Sequence, residues 1–201
     1  PPRSTLFPYT TLFRSPSMES YLTAEISASA VRHNLALLRK RLARGVKLCA
    51  VVKADCYGHG WQQLLPLISR ESDMLAVATP EEAILLRRLG YELPILIFFS
   101  ACAWSDGQNL RDALDELVLN QVTLTVVSAA EADWVAHAAA RVGGPAMVHV
   151  KIDTGMGRSG VRADRAATLI QYIRNLPGIR LCGLYTHFAN ADESDQAVTN
   201  E

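Results

Sequence analysis

The sequence predicts an α/β fold built on a parallel sheet, and three observations carry that expectation. Short β-rich runs recur along the chain, nearly continuous in Val, Ile, Leu and Ala, as strands buried on both faces are. Amphipathic helical segments lie between them. The alternation repeats about six times, the pattern of βα units. The composition is that of a globular chain: 201 residues, 49% hydrophobic and 20% charged. Lys plus Arg is 20 and Asp plus Glu is 20, so the formal net charge is +0 and the basic excess of a nucleic-acid binder is missing. Four Cys with no C-x-x-C pair suggest neither a disulfide framework nor a zinc site, and no metal is expected. The longest apolar run, Leu93–Ser100, is strand-sized, well short of the roughly 20 residues that span a bilayer, so no membrane partner is expected. These features suggest a protein of the cytoplasm.

Pro1–Ser17 fits neither period. STLFPYTTLFRS within it closely resembles a translated sequencing adapter. Residues 1–17 are therefore read as a non-native or disordered leader, with Met18 as the start of the domain formed by residues 18–201. Leu22–Ser27 is a candidate extra strand. Ser29–Leu42 reads as a helix, with Val31, Leu35, Leu38 and Leu42 on one face. Val46–Val52 is the first strand. Met74–Ala78 is the next, followed by a helix over Thr79–Leu89 that opens Thr-Pro-Glu-Glu: a cap, a first-turn proline and two acids at the positive end of the dipole. Pro94–Phe99 and Val122–Val127 are strands. Ser128 and Glu131 form a capping box before the helix Ala132–Arg141. Ala146–Ile152 is a strand, Ala163–Leu176 a helix ended by Pro177-Gly178, and Ile179–Tyr185 the last strand. The chain ends at Glu201 in a polar stretch with no Gly or Pro stop signal, which suggests truncation.

Two architectures accommodate six parallel units. A Rossmann-like sheet needs a Gly-rich turn after an early strand, whereas Gly155-Met156-Gly157-Arg158-Ser159-Gly160 follows a late one. A TIM-type (β/α)8 barrel, truncated to about six units, is the better fit. In such a barrel the chemistry gathers where strands end. The first strand exits into VVKADCYGHG, where Lys53 sits in poorly hydrated surroundings that suit an amine nucleophile or Schiff-base former. The fifth exits into KIDTGMGRSG, whose glycines allow close ligand approach and whose Arg158 offers a planar fork to a carboxylate or phosphate. The sixth exits into LYTHFANAD, with His187 just past the strand. His33 and His137 read as surface groups, His149 as packed within a strand, His59 as close to a helix start, and Asp153 as a support for the Arg158 loop. Cys49, Cys102 and Cys182 read as small core residues.

Together, VVKADCYGHG, KIDTGMGRSG and LYTHFANAD closely resemble the alanine racemase family of fold-type III pyridoxal-phosphate enzymes. The likeness runs from about Ser20 to Glu201. It covers most of that family's N-terminal barrel and none of its C-terminal β-domain. It implies pyridoxal 5'-phosphate as cofactor, carried by Lys53, which is also one of two catalytic bases. It implies that Tyr57 lies near the cofactor phosphate and His187 beside the pyridine ring. Arg158 would contact the substrate carboxylate and the cofactor's phenolic oxygen, with Lys151, carbamylated in many members, orienting it. It further implies a homodimer whose second base, a tyrosine, comes from the partner subunit, racemisation of L-alanine to D-alanine for peptidoglycan precursors, and an inactive chain when these residues stand alone. A serine or broad-specificity racemase and a non-catalytic pyridoxal-phosphate-binding barrel protein remain open at this point.

Overall fold

The computed structural model describes residues 24–103, 108–192 and 194. The proposed leader, residues 1–17, lies outside them, as does most of the polar end. The described chain begins with α1 (Ala28–Arg41), β1 (Cys49–Val51) and a short helical turn α2 (Lys53–Tyr57). It continues through α3 (Trp61–Glu71), β2 (Met74–Val77), α4 (Pro80–Arg88) and β3 (Ile95–Ser100). A 3-10 turn over Ala101–Ala103 precedes α5 (Gln108–Leu119), β4 (Thr123–Val126), α6 (Ala129–Val142) and β5 (Ala146–Asp153). The last elements are β6 (Val161–Arg162), α7 (Ala163–Arg174) and β7 (Ile179–Tyr185).

The strands β1 to β5 lie side by side in chain order, and β7 pairs with β5, all in parallel. The short β6 also pairs with β5, setting Ile152 against Val161 and Asp153 against Arg162. Strand β1 at one edge and β7 at the other have one partner each, so among the described residues the sheet is open: an α/β barrel begun and left unclosed.

The core lies between sheet and helices. Val52, Leu75, Val77, Ile97, Leu124, Val126, Val148 and Val150 pack against Leu65, Leu86, Leu117, Val135 and Ile173. The strand signal in the sequence comes from this burial: β2 and β4 sit under helices along almost their whole length. Strand β5 separates the two faces. Val148 and Val150 are fully buried toward the helices, and by the alternation of a strand Met147, His149 and Lys151 face the barrel interior.

Several expectations change in detail. Strand β1 holds only three residues because its pairing with β2 runs only from Cys49 to Val51, and Val46 instead closes a turn onto Ala43. Ala24–Ser27 forms no strand; Ser27 caps α1, its hydroxyl accepting the Ala30 N–H. Cys49 and Cys182 are exposed rather than core residues, because each sits on an edge strand with a neighbour on one side only. The Cys102 side chain lies outside the described residues. His33 and His137 are exposed, as expected.

Candidate active site

The site is built at the carboxyl ends of the parallel strands. Cys49 and Val51 share one face of β1, and Lys53, two residues past its end, continues that spacing, while Val52 between them is fully buried. Lys53 is half-buried, on the interior side. The chain then does something unusual. Ala54, Asp55, Cys56 and Tyr57 have φ of 49°, 54°, 55° and 57°, one turn of left-handed helix made without glycine. Each such residue costs roughly 1–2 kcal/mol, because its Cβ crowds the following carbonyl oxygen. Strain of that size persists only where the surroundings over-determine the conformation.

The surroundings here do so. The Glu82 carboxylate accepts the Ala54 N–H at 2.7 Å. Val52 O accepts both the Cys56 N–H and the Trp61 indole N–H. Asp55 Oδ1 accepts the Trp61 backbone N–H at 2.6 Å, capping α3, and the Gly58 and Gly60 N–H groups close back onto Ala54 and Asp55. The turn brings Tyr57 back beside the lysine, with Lys53 Nζ 5.7 Å from the ring centroid. Tyr57 itself is exposed. Cys56 is buried inside the turn; burial, with the Asp55 charge added, pushes its thiol up to about 12, so it stays protonated beside the lysine.

The second group stands on β5 and β7. Lys151 is 7% exposed, with its Nζ 5.8 Å from the Tyr185 ring centroid. Burial lowers its pKa first, the Arg158 charge lowers it further, and Asp153 opposes both. Tyr185 donates its hydroxyl to Thr125 Oγ1 at 2.8 Å, while Thr125 donates to Ile97 O at 2.6 Å. Burial pushes the Tyr185 phenol up to about 12, against the pull of the Arg158 charge. Near it, His149, whose pKa burial lowers, lies 6.3 Å ring to ring from Tyr185. Gly183 faces that imidazole so closely that a Cβ would stand 2.8 Å from its Nε2.

The Arg158 loop is shaped by Asp153, whose Oδ1 accepts the Gly155 and Gly157 N–H groups at 3.1 and 3.0 Å. These two bonds, Gly157 first, hold the Asp153 carboxyl below the usual carboxylate range. At the far end of the loop a Cβ on Gly160 would stand 2.5 Å from Asp153 N, so only glycine lets β6 dock on β5 there. Thr186 Oγ1 donates to Ile152 O at 2.8 Å and pairs with Thr154 Oγ1 at 2.7 Å, tying the start of this loop to the exit of β7. Arg158 and His187 are both exposed at this end of the sheet.

The five residues singled out from sequence thus stand at the carboxyl-terminal end of the sheet, Lys53 and Tyr57 after the edge strand β1, Lys151 near the end of β5, and Arg158 and His187 in the segments that follow β5 and β7. Lys53 and Tyr57 pair with each other, and the Arg158 charge reaches Lys151. Sequence reasoning missed Glu82, Thr125, Tyr185 and Trp61, whose parts are set by contacts between distant segments. Glu82 alone left a local trace, the T-x-x-E of a capping box.

A family profile described as "Alanine racemase, N-terminal domain" matches residues 26–201. An alanine racemase of Desulfovibrio desulfuricans is 38% identical over 186 residues, 92% of this chain and 48% of that protein. One from Methanococcus maripaludis is 36% identical over 178 residues, 88% of this chain and 46% of its own length. Among solved structures, an alanine racemase of Clostridium difficile 630, in a complex with cycloserine, is similar at 36% identity and a TM-score of 0.77, covering 86% of this chain and 46% of that one. The chain therefore spans about half the length of the relatives it matches. The profile match, the identities and the structural similarity agree: this chain belongs to the alanine racemase family, as an N-terminal domain.

Proposed function

We propose that this domain is the cofactor-bearing and carboxylate-binding part of a racemase that interconverts L-alanine and D-alanine with pyridoxal 5'-phosphate. The observation that carries the reading is the Lys53 turn: a primary amine on the interior face at a strand exit, fixed by a strained segment held from several sides. The donor set fits the cofactor. It offers an amine for an aldehyde, the Tyr57 ring beside that amine, and a guanidinium for an anionic oxygen. Lys53, Tyr57, Arg158 and His187 would hold it.

Pyridoxal phosphate, when bound, makes the substrate Cα–H acidic by taking up the electron pair the proton leaves behind. The remaining tasks fall to side chains. Lys53 Nζ takes or returns the proton on one face of Cα. The Arg158 fork binds the substrate carboxylate and turns the Cα–H bond toward that amine. Lys151, with its ammonium form disfavoured by burial and by Arg158, is suited to carry a carbamate, which replaces a cation beside Arg158 with an anion. The opposite face needs a base that these residues do not offer, in keeping with a homodimer in which the partner subunit supplies it. Residues 18–201 alone would then be inactive. No helix among the described residues is long and apolar enough to cross a membrane. The physiological role this reading implies is cytoplasmic supply of D-alanine to peptidoglycan precursors.

The test uses the whole protein encoded by the parent gene. Borohydride reduction with pyridoxal phosphate should leave the label on Lys53, and L-alanine should be converted to D-alanine faster than L-serine to D-serine. A label on Lys47 or Lys151, or a cofactor-free protein, would overturn the assignment. Preference for L-serine would change the substrate and leave the mechanism in place.

A further inference from the structure

We infer that Glu82 is a positioning residue for Lys53: its carboxylate caps α4 with one oxygen and pins the left-handed turn after the lysine with the other. This rests on Lys53 being the cofactor-bearing lysine. Glu82 Oε2 accepts the Ala78 N–H at 2.7 Å and the Thr79 N–H at 3.2 Å. Thr79 Oγ1 in turn accepts the Glu82 N–H at 3.4 Å, which completes the capping box. That arrangement belongs to the helix. Oε1 reaches outside the helix, to the N–H of Ala54 at 2.7 Å, 28 residues away in sequence and on the neighbouring strand exit.

Ala54 is where the backbone enters the left-handed region, and Lys53 is the residue before it. The Ala54 N–H belongs to the peptide that joins the two. Fixing that N–H fixes the peptide plane on which the Lys53 side chain starts. Glu131 occupies the equivalent position after the Ser128 cap, and its Oε2 accepts the Val127 N–H at 2.7 Å. Glu82 Oε2 serves Ala78 in the same way, and its Oε1 reaches Ala54 on the neighbouring strand exit. A carboxylate has acceptor capacity for both jobs. Its negative charge also suits the N-terminus of α4.

Substitution by glutamine separates the two jobs. Gln is accepted in a capping box, so its carbonyl oxygen can serve Ala78 and Thr79. Its NH2 group then faces the Ala54 N–H, donor against donor. Thr79→Ala is the complement: it removes a helix cap and leaves the Ala54 bond intact. Both variants are made in the whole protein, as apoprotein and after loading with pyridoxal phosphate.

In the apoprotein, amides of Ala54–Tyr57 in Glu82→Gln should exchange with solvent about 10-fold to 100-fold faster, the range for loss of a hydrogen bond to a charged acceptor. Thr79→Ala should melt earlier, yet exchange in this turn like wild type. Covalent loading of Lys53, followed by its visible absorbance and fixed by borohydride, should slow in Glu82→Gln and stay unchanged in Thr79→Ala. In the loaded enzyme the loss should fall on kcat more than on KM, because Arg158 and its loop are untouched. Wild-type exchange and loading in Glu82→Gln would overturn the inference while leaving the role of Lys53 standing. Equal losses in both variants would reduce Glu82 to a helix cap and overturn it as well. A wild-type protein that never loads Lys53 would overturn the proposed function and, with it, the positioning role.

Discussion

Replacing Gly160 by alanine tests the Arg158 loop at its tightest point. Gly160 has φ +142°, a conformation that side-chain-bearing residues rarely adopt. The new Cβ would lie 2.5 Å from Asp153 N, 2.9 Å from Ile152 C and 3.0 Å from Asp153 Cα. All three are main-chain atoms of β5, so no side chain can swing away. The loop can yield only by giving up the pairing of β6 with Ile152 and Asp153. The unfavourable φ costs about 1–3 kcal/mol, and overpacking adds about 1–3 kcal/mol. Together they would take a large share of the roughly 5–15 kcal/mol that stabilises an ordinary domain. Gly45→Ala supplies the control, since Gly45 has φ +86° and nothing within 4 Å of a new Cβ. Equilibrium denaturation followed by circular dichroism should show Gly160→Ala destabilised beyond Gly45→Ala by the steric share, about 1–3 kcal/mol. Under the proposed function, Gly160→Ala in the whole protein should also raise KM for alanine, because Arg158 lies in the displaced loop. Equal destabilisation of the two variants would refute the claim that β5 blocks the site.

Two further outcomes follow from the interior of the sheet. The fold lowers the Lys151 pKa from its ordinary 10.5, so the folded protein binds fewer protons than the unfolded chain between the lowered value and 10.5. Stability should therefore rise with pH across that window in the unmodified protein, and Lys151→Met should flatten the rise in a urea titration run at several pH values. Tyr185→Phe should cost about 0.5–1.5 kcal/mol, since it removes one neutral hydrogen bond and leaves Thr125 still donating to Ile97 O. Thr125→Val on that background should add less than it does alone, a coupling that a double-mutant cycle measures.

Much of the architecture was legible because it rests on period and burial. The runs Val122–Val127 and Ala146–Ile152 are rich in apolar residues for the same reason they hold strands: helices cover one of their faces. Helix α3 was harder to see. Pro66 stands at its sixth residue, a local signal against a helix, and the burial of Leu64 and Leu65 overrides it. The cysteines misled for a related reason. A sequence marks residues that suit a core, but Cys49 and Cys182 lie on edge strands, and an edge is a property of the whole sheet. Within the site, Lys53, Tyr57, Lys151, Arg158 and His187 came from motifs and their resemblance to a family. The network that holds them did not. Thr125 meets Tyr185 from 60 residues away and Glu82 meets Ala54 from 28, and no short pattern carries contacts of that span.

The four residues after Lys53 invert the usual rules of substitution. Elsewhere in a helix, glycine weakens and alanine strengthens. Here L-residues hold the backbone angles natural to their mirror images, so glycine, or a D-amino acid introduced by chemical synthesis, is the change that relieves strain. A search for stabilising mutations would therefore be drawn to Ala54 and Cys56 first, and would spend the gain by loosening the one segment that aims the lysine. This turn marks a position where a sturdier protein and a better-aimed amine are opposing goals.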